Sequence, residues 1–183
     1  MILLFGPPGA GKSMQGQMLA VRMGWKWLST GEMFRQSKDK KIIETLKTGE
    51  LISNEQTYKV FEDAVSEAQK LNYPNIIVDG FPRTKEQAAW LDEYLKRVDE
   101  KIDIVIVLEV PVAEIMARLA KRQRLEDSPE TVANRMTIYR QKMYPVLSIF
   151  AEAGMKIIHL NGMGTAGEIH DRIYEEVEGA WQV

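Results

Sequence analysis

The chain contains no cysteine. That excludes a disulfide framework, thiolate zinc and a cysteine nucleophile, and it points to a reducing compartment. Histidine is almost as scarce. His159 and His170 are too few for a metal cluster and have no nucleophile–base arrangement around them, so packing or surface roles are expected. Excess charge of one sign is also missing. Against 24 Lys and Arg stand 26 Asp and Glu, a formal net charge of −2, so no basic footprint marks a nucleic-acid or anionic-membrane partner. Long apolar runs are absent as well. The opening run Met1–Phe5 stops at Gly6-Pro7-Pro8, far short of the roughly 20 residues of a membrane span and without the basic start of a signal peptide. It reads as a buried strand in a cytoplasmic protein.

What is present is a globular balance: 183 residues, 45% hydrophobic and 27% charged. That length suits one domain, which buries about 70% of the surface exposed by its unfolded chain. Short apolar runs alternate with longer amphipathic stretches. Ile2–Phe5, Asn75–Val78 and Ile104–Leu108 are continuous and largely β-branched, with a weaker run at Ile157–Leu160 and a short one at Lys26–Leu28. Continuous runs fit strands covered on both faces. Helices are predicted over Lys12–Met23, Lys40–Thr48, Asn54–Leu71, Lys85–Val98, Val112–Lys121, Pro129–Ala153 and Thr165–Val177. Ser128-Pro129 is a helix start, and Pro145 is expected to bend or divide the helix that follows. The fold class is therefore α/β, a doubly wound parallel sheet of about five strands flanked by helices. Its ligands belong at the carboxyl ends of the strands.

Three features there carry chemistry. Gly6-Pro7-Pro8-Gly9-Ala10-Gly11-Lys12-Ser13 satisfies G-x-x-x-x-G-K-[ST] between a strand and a helix, the setting a phosphate-binding P-loop requires. Its glycines let backbone N–H groups converge on phosphate oxygens, and Lys12 can reach the β- and γ-phosphates. Asp79 ends the second strong strand, where it can hold Mg²⁺ through its water shell; the bland alternative is a turn aspartate before Gly80. Arginines gather late in the chain, with five of the ten at Arg118, Arg122, Arg124, Arg135 and Arg140. Such like charges repel unless an anion joins them, and a guanidinium fork suits phosphate. A solvated helix face competes with that reading and takes Arg140. The ten methionines, Met14, Met18 and Met23 among them, read as core filler, and Trp25 and Trp27 as packing at the sheet edge. Lys38–Lys41 reads as a solvated turn.

With these features in order, the chain resembles the adenylate kinase family along nearly its whole length. Gly6–Ser13 with Gln15 looks like the family's P-loop, and Ser29-Thr30-Gly31-Glu32-Met33-Phe34-Arg35 like its monophosphate motif. The resemblance assigns Thr30 to adenine and Arg35 to the AMP phosphate. Glu50, Leu51 and Ile52 resemble the segment whose backbone lines the AMP base. Asp79-Gly80-Phe81-Pro82-Arg83-Thr84, followed by Gln87, is the most specific string, and it implies Arg83 on the AMP phosphate and Gln87 on the adenine edge. ATP falls to Gly9, Ala10, Gly11, Lys12, Ser13, Met14, Arg118, Arg122 and the backbone of Gly164, which follows the Asn161-Gly162 turn. The resemblance further implies that Arg124 and Arg135 clamp the transferring phosphoryl group and the acceptor, and that Lys12, Arg83, Arg122, Arg124 and Arg135 are the catalytic set. Ser13 and Asp79 are the implied Mg²⁺ contacts, through water.

The chain also departs from the family. Ser13-Met14 follows the P-loop lysine where many members have Gly-Thr, Glu32 replaces the usual aspartate, and the stretch between Arg35 and Gly49 is short. Only Gln123 separates Arg122 from Arg124, where relatives carry a lid loop or small domain. Without cysteine no thiolate structural zinc is possible. The resemblance implies Mg²⁺-dependent, in-line transfer between ATP and AMP giving two ADP, without a covalent intermediate. It implies one cytoplasmic, monomeric domain, with an AMP-binding segment at about 29–58 and a vestigial lid at about 122–128. Two other readings compete. A pyrimidine-directed (UMP/CMP) kinase is disfavoured by Thr30 and Gln87, because that group commonly has alanine and asparagine there. A non-catalytic nucleotide switch leaves the acceptor motif and the arginines without a role.

Overall fold

Five parallel strands form the centre of the computed structural model, which describes residues 1–122, 124 and 126–181. In chain order they are β1 (Ile2–Phe5), β2 (Lys26–Ser29), β3 (Ile76–Asp79), β4 (Ile104–Glu109) and β5 (Ile157–Asn161), arranged β2-β3-β1-β4-β5. Ile2 pairs with Ile77 on one side and Ile104 on the other, so β1 is central. The helices are α1 (Lys12–Met23), α2 (Thr30–Arg35), α3 (Lys40–Thr48), α4 (Asn54–Lys70), α5 (Lys85–Arg97), α6 (Val112–Arg122), α7 (Pro129–Glu152) and α8 (Ala166–Trp181).

Period-two alternation sorts the strand side chains into two apolar layers. Leu3, Phe5, Val78, Val105 and Val107 face Phe61 and Val65 of α4, Leu91 of α5, and Val146 and Phe150 of α7. Ile2, Leu4, Ile77, Ile104 and Ile106 face Leu19 of α1 and Ile169, Ile173 and Val177 of α8. Burial on both faces is why the strands read as unbroken apolar runs. Trp25, just before edge strand β2, and Trp27, within it, pack into this second layer at the sheet edge, as expected.

Of the two outcomes expected at Pro145, division does not occur: α7 runs through it from Pro129 to Glu152. Met143, Val146 and Phe150 lie buried on both sides of the proline, and that anchorage offsets the lost backbone hydrogen bond. The short helix α2 was not foreseen. Ser29 starts it by accepting from the Glu32 N–H at 3.3 Å, and Phe34 pins it into a small apolar cluster with Ile42 and Ile52.

Candidate active site

All five strands point the same way, so their carboxyl ends share one rim. β1 delivers the P-loop there, β2 delivers Ser29 and Thr30, and β3 delivers Asp79. The glycine-rich turn depends on backbone that side chains rarely adopt: φ is 144° at Gly6, 83° at Gly9 and 97° at Gly11. Ser29, Asp39, Ser53, Thr84 and Ser128 cap α2, α3, α4, α5 and α7 with side-chain oxygens. Helix α1 starts instead from Gly11 with no side-chain cap. Its first N–H groups are left for an anion.

Lys12 folds back over this loop, donating to the carbonyls of Gly6 at 2.8 Å and Pro7 at 2.9 Å. Its pKa falls from 10.5 to about 8, chiefly because burial strips water from the ammonium. Asp79 pushes the value back up, and Arg83, Arg135 and Arg122 push it further down. Beside it the buried Asp79 Oδ2 accepts from Ser13 Oγ at 2.6 Å and from Ser29 Oγ at 3.3 Å. One carboxylate and two hydroxyls make a hard-oxygen set. Among the described residues no group of three or more His, Asp or Glu converges on a metal position. This donor set fits Mg²⁺, which keeps most of its waters and shares nucleotide phosphates, better than an ion needing an all-protein cage.

Several adjoining pockets open on the rim, and two of them gather most of the residues singled out above. One lies over the P-loop, with Gly9, Gly11, Lys12, Ser13, Met14, Asp79, Arg118, Arg122 and Arg124 on its walls. The other lies under α2 and α3, walled by Thr30, Phe34, Glu50, Leu51, Ile52, Gly80 and Gln87. Gly31, Arg35, Arg83 and Arg135 line both. Arg83 Nε donates to the Gly80 carbonyl at 2.7 Å, and Thr30 Oγ1 to the same carbonyl at 2.9 Å. Gly49, with φ 75°, lets α3 end against α7. A Cβ there would stand 2.8 Å from Arg135 Cγ, and Thr131 Oγ1 locks the contact by donating to the Lys47 carbonyl at 2.8 Å.

The anions that hold the arginines together are the protein's own carboxylates, which sequence reasoning missed. Arg122 makes a two-pronged pair with Asp127, at 2.8 and 2.5 Å, and the Arg124 N–H donates to the same carboxylate at 3.0 Å. Burial pushes the Asp127 carboxyl upward, but those bonds and the Arg122 charge outweigh it and hold it below its usual range. Arg35 reaches Glu32 at 2.9 Å and the buried Glu126 at 3.1 Å. Arg118 pairs with Glu114 at 2.8 Å and donates to the Gly162 carbonyl at 2.9 Å, tying α6 to the β5–α8 loop that carries Gly164. Arg135 lies 3.6 Å from Asp127, and burial, with Arg83 next, lowers its pKa to about 10. The Arg-x-Glu-Asp run at 124–127 was the available signal: acids beside a basic cluster.

Several sequence-derived candidates sit differently from expectation. Met14 is 56% exposed on the pocket lip, not core filler. The Phe81 ring points into the core, its centroid 4.6 Å from that of Phe61, leaving only its backbone for a ligand. Gln15 is buried away from the cleft and donates to the Ala166 carbonyl at 2.9 Å. Gln123, and Leu125 in the expected lid, lie outside the described residues. Other readings agree with expectation: Arg140 is exposed on a solvated face, His159 pairs at the surface with Glu109 at 2.7 Å, and His170 is buried on α8.

A parallel α/β sheet with an uncapped glycine-rich turn, its lysine and a strand-end aspartate defines a P-loop nucleotide-binding protein. Comparison with known proteins narrows this class. The adenylate kinase family matches residues 4–155. The chain is 37% identical over 177 residues to the adenylate kinase of Mycobacterium marinum, covering 93% of this chain and 95% of the relative. It is 36% identical over 177 residues to that of Mycolicibacterium paratuberculosis, with the same coverage. To that of Thermus thermophilus it is 31% identical over 182 residues, covering 94% of each. The chain belongs to the adenylate kinase family of nucleoside monophosphate kinases. No helix among its described residues is long and apolar enough to cross a membrane.

Proposed function

We propose that the protein catalyses ATP + AMP ⇌ 2 ADP with Mg²⁺ in the cytoplasm, as a monomer of one domain. The observation that carries this reading is the sharing of Gly31, Arg35, Arg83 and Arg135 by both pockets. Two nucleotides seated head to head would meet at those residues, and a single-nucleotide switch has no use for the second pocket. ATP lies on the P-loop side, with Gly9, Ala10, Gly11, Lys12, Ser13 and Met14 along the phosphates, Arg118 and Arg122 above them, and Gly164 near the base. AMP lies in the segment 29–58, with Thr30, Gln87 and the backbone of Glu50, Leu51 and Ile52 around adenine. Gly80, Phe81 and Pro82 form the turn that presents Arg83. Arg35 and Arg83 hold the AMP phosphate.

The acceptor phosphate is already anionic, so transfer needs no covalent intermediate and no strong base. Positioning and charge stabilisation supply the rate. Lys12, Arg122, Arg124 and Arg135 neutralise the oxygens of the migrating group, and incoming phosphate takes over from the carboxylates of Glu126 and Asp127. Ser13 and Asp79 would hold Mg²⁺ with ATP through water, and when bound it would supply further positive charge to the phosphate oxygens. Residues 122–128 act as a much reduced lid. The test is an ADP-formation assay with ATP and each of AMP, CMP and UMP. Fast turnover with AMP alone is expected, preference for a pyrimidine monophosphate identifies a UMP/CMP kinase, and no turnover with any acceptor overturns the enzyme reading.

A further inference from the structure

Gln87 is buried and occupies the third position of α5, after the cap at Thr84. Thr84-x-x-Gln87 is a capping-box sequence, in which the residue at that third position turns its side chain back toward the helix start. Here the turn goes one residue further. Gln87 Oε1 accepts from the Arg83 backbone N–H at 2.7 Å, and the Gln87 N–H donates to Thr84 Oγ1 at 3.2 Å. A main-chain N–H cannot reverse its polarity, so it favours the Gln87 amide oxygen on the Arg83 side without fixing it alone. The amide nitrogen then faces the start of α4, where Nε2 donates to Asn54 Oδ1 at 3.0 Å. Each end of the amide keeps one valence open, a single N–H and a single lone pair.

A freely turning amide suits two opposite purine edges. Adenine offers an acceptor at N1 and a donor at its 6-amino group, and a 6-oxopurine offers a donor at N1 and an acceptor at O6. A Gln held in one orientation can match only one of them. Taking as its basis the reading that Gln87 meets the purine edge, we infer that Asn54 is a positioning residue. With the Arg83 N–H it locks the Gln87 amide and so selects 6-aminopurine over 6-oxopurine monophosphates. Asn54 sits on the solvent side of the pair, so it acts through Gln87.

The experiment compares kcat/KM for AMP, IMP and CMP in wild type, Asn54→Ala, Asn54→Asp and Gln87→Ala. IMP is the informative probe, because it inverts the hydrogen-bond edge while adding no bulk at the 2-position. Asn54→Ala should narrow the AMP:IMP ratio by about tenfold, mostly through KM, while CMP remains poor. Asn54→Asp keeps an acceptor opposite Nε2 and should retain the wild-type ratio. An unchanged AMP:IMP ratio in Asn54→Ala, or an equal loss for both purines, overturns the inference if Gln87→Ala still collapses the ratio. Equal use of AMP and IMP by the wild type, or a Gln87→Ala ratio like wild type, overturns the reading of Gln87 on which it rests.

Discussion

Lys12 should give up its proton in the open cleft at mildly alkaline pH and take one back when nucleotide binds. Burial and the surrounding arginines bring its pKa from 10.5 to about 8. Keeping the ammonium charged there therefore costs about 3 kcal/mol more than in water. At pH 8.5 only about a quarter of the free protein carries that charge, so a triphosphate that restores it should draw in about three quarters of a proton. At pH 7 the uptake should be about 0.1. Calorimetric titration with ATP and Mg²⁺, in two buffers of different ionisation enthalpy, measures this number, and Lys12→Ala should abolish its rise. The sign for stability follows from the same pKa values. Between about 8 and 10.5 the unfolded chain holds a proton that the folded chain has lost, so this group's contribution to stability increases as pH rises through that window. In turnover, kcat/KM should fall above about pH 8, while kcat, set with phosphate beside the lysine, should hold to higher pH. Proton uptake equal at pH 7 and 8.5, or identical in wild type and Lys12→Ala at pH 8.5, would refute the account of the buried ammonium.

Lys12→Ala should also lower transfer by about 10²–10³, or roughly 3–4 kcal/mol of transition-state stabilisation, and near-wild-type turnover by the folded variant would contradict its role. Gln87→Ala should erase much of the preference for AMP over CMP in kcat/KM, since the smaller pyrimidine ring holds its edge farther from the amide and leaves the open valences unpaired. Asp127→Ala should cost about 1–3 kcal/mol in urea unfolding, because it strands Arg122 and leaves Arg135 and the Arg124 N–H without their carboxylate. A loss under about 0.5 kcal/mol would show the pair to be a solvated surface contact. Grafting a family-length lid between Arg122 and Arg124 should reduce ATP hydrolysis without AMP by excluding water. If the graft retains transfer and the hydrolysis rate does not change, the short lid is not what admits water.

Local sequence sufficed wherever the determining contacts are between near neighbours along the chain. The β-branched runs at Ile2–Phe5, Asn75–Val78 and Ile104–Leu108 announce buried parallel strands because each residue has apolar layers on both sides. The Gly6–Ser13 loop is legible because its glycine backbone, lysine reach and helix start are all set within eight positions. Tertiary structure decided the rest. Pro145 stays inside one helix because Met143, Val146 and Phe150 are buried around it, which no propensity scale contains. The carboxylate partners of the arginines depend on contacts across the fold, as with Arg35 and Glu126, which lie 91 residues apart. The same holds for Gln87. Its presence near the acceptor motif can be read from sequence, but the direction of its amide is settled by a main-chain N–H before α5 and a side chain at the start of α4. Hydrogen-bond polarity at a buried group belongs to whatever the fold places around it, and only the assembled chain brings those groups together.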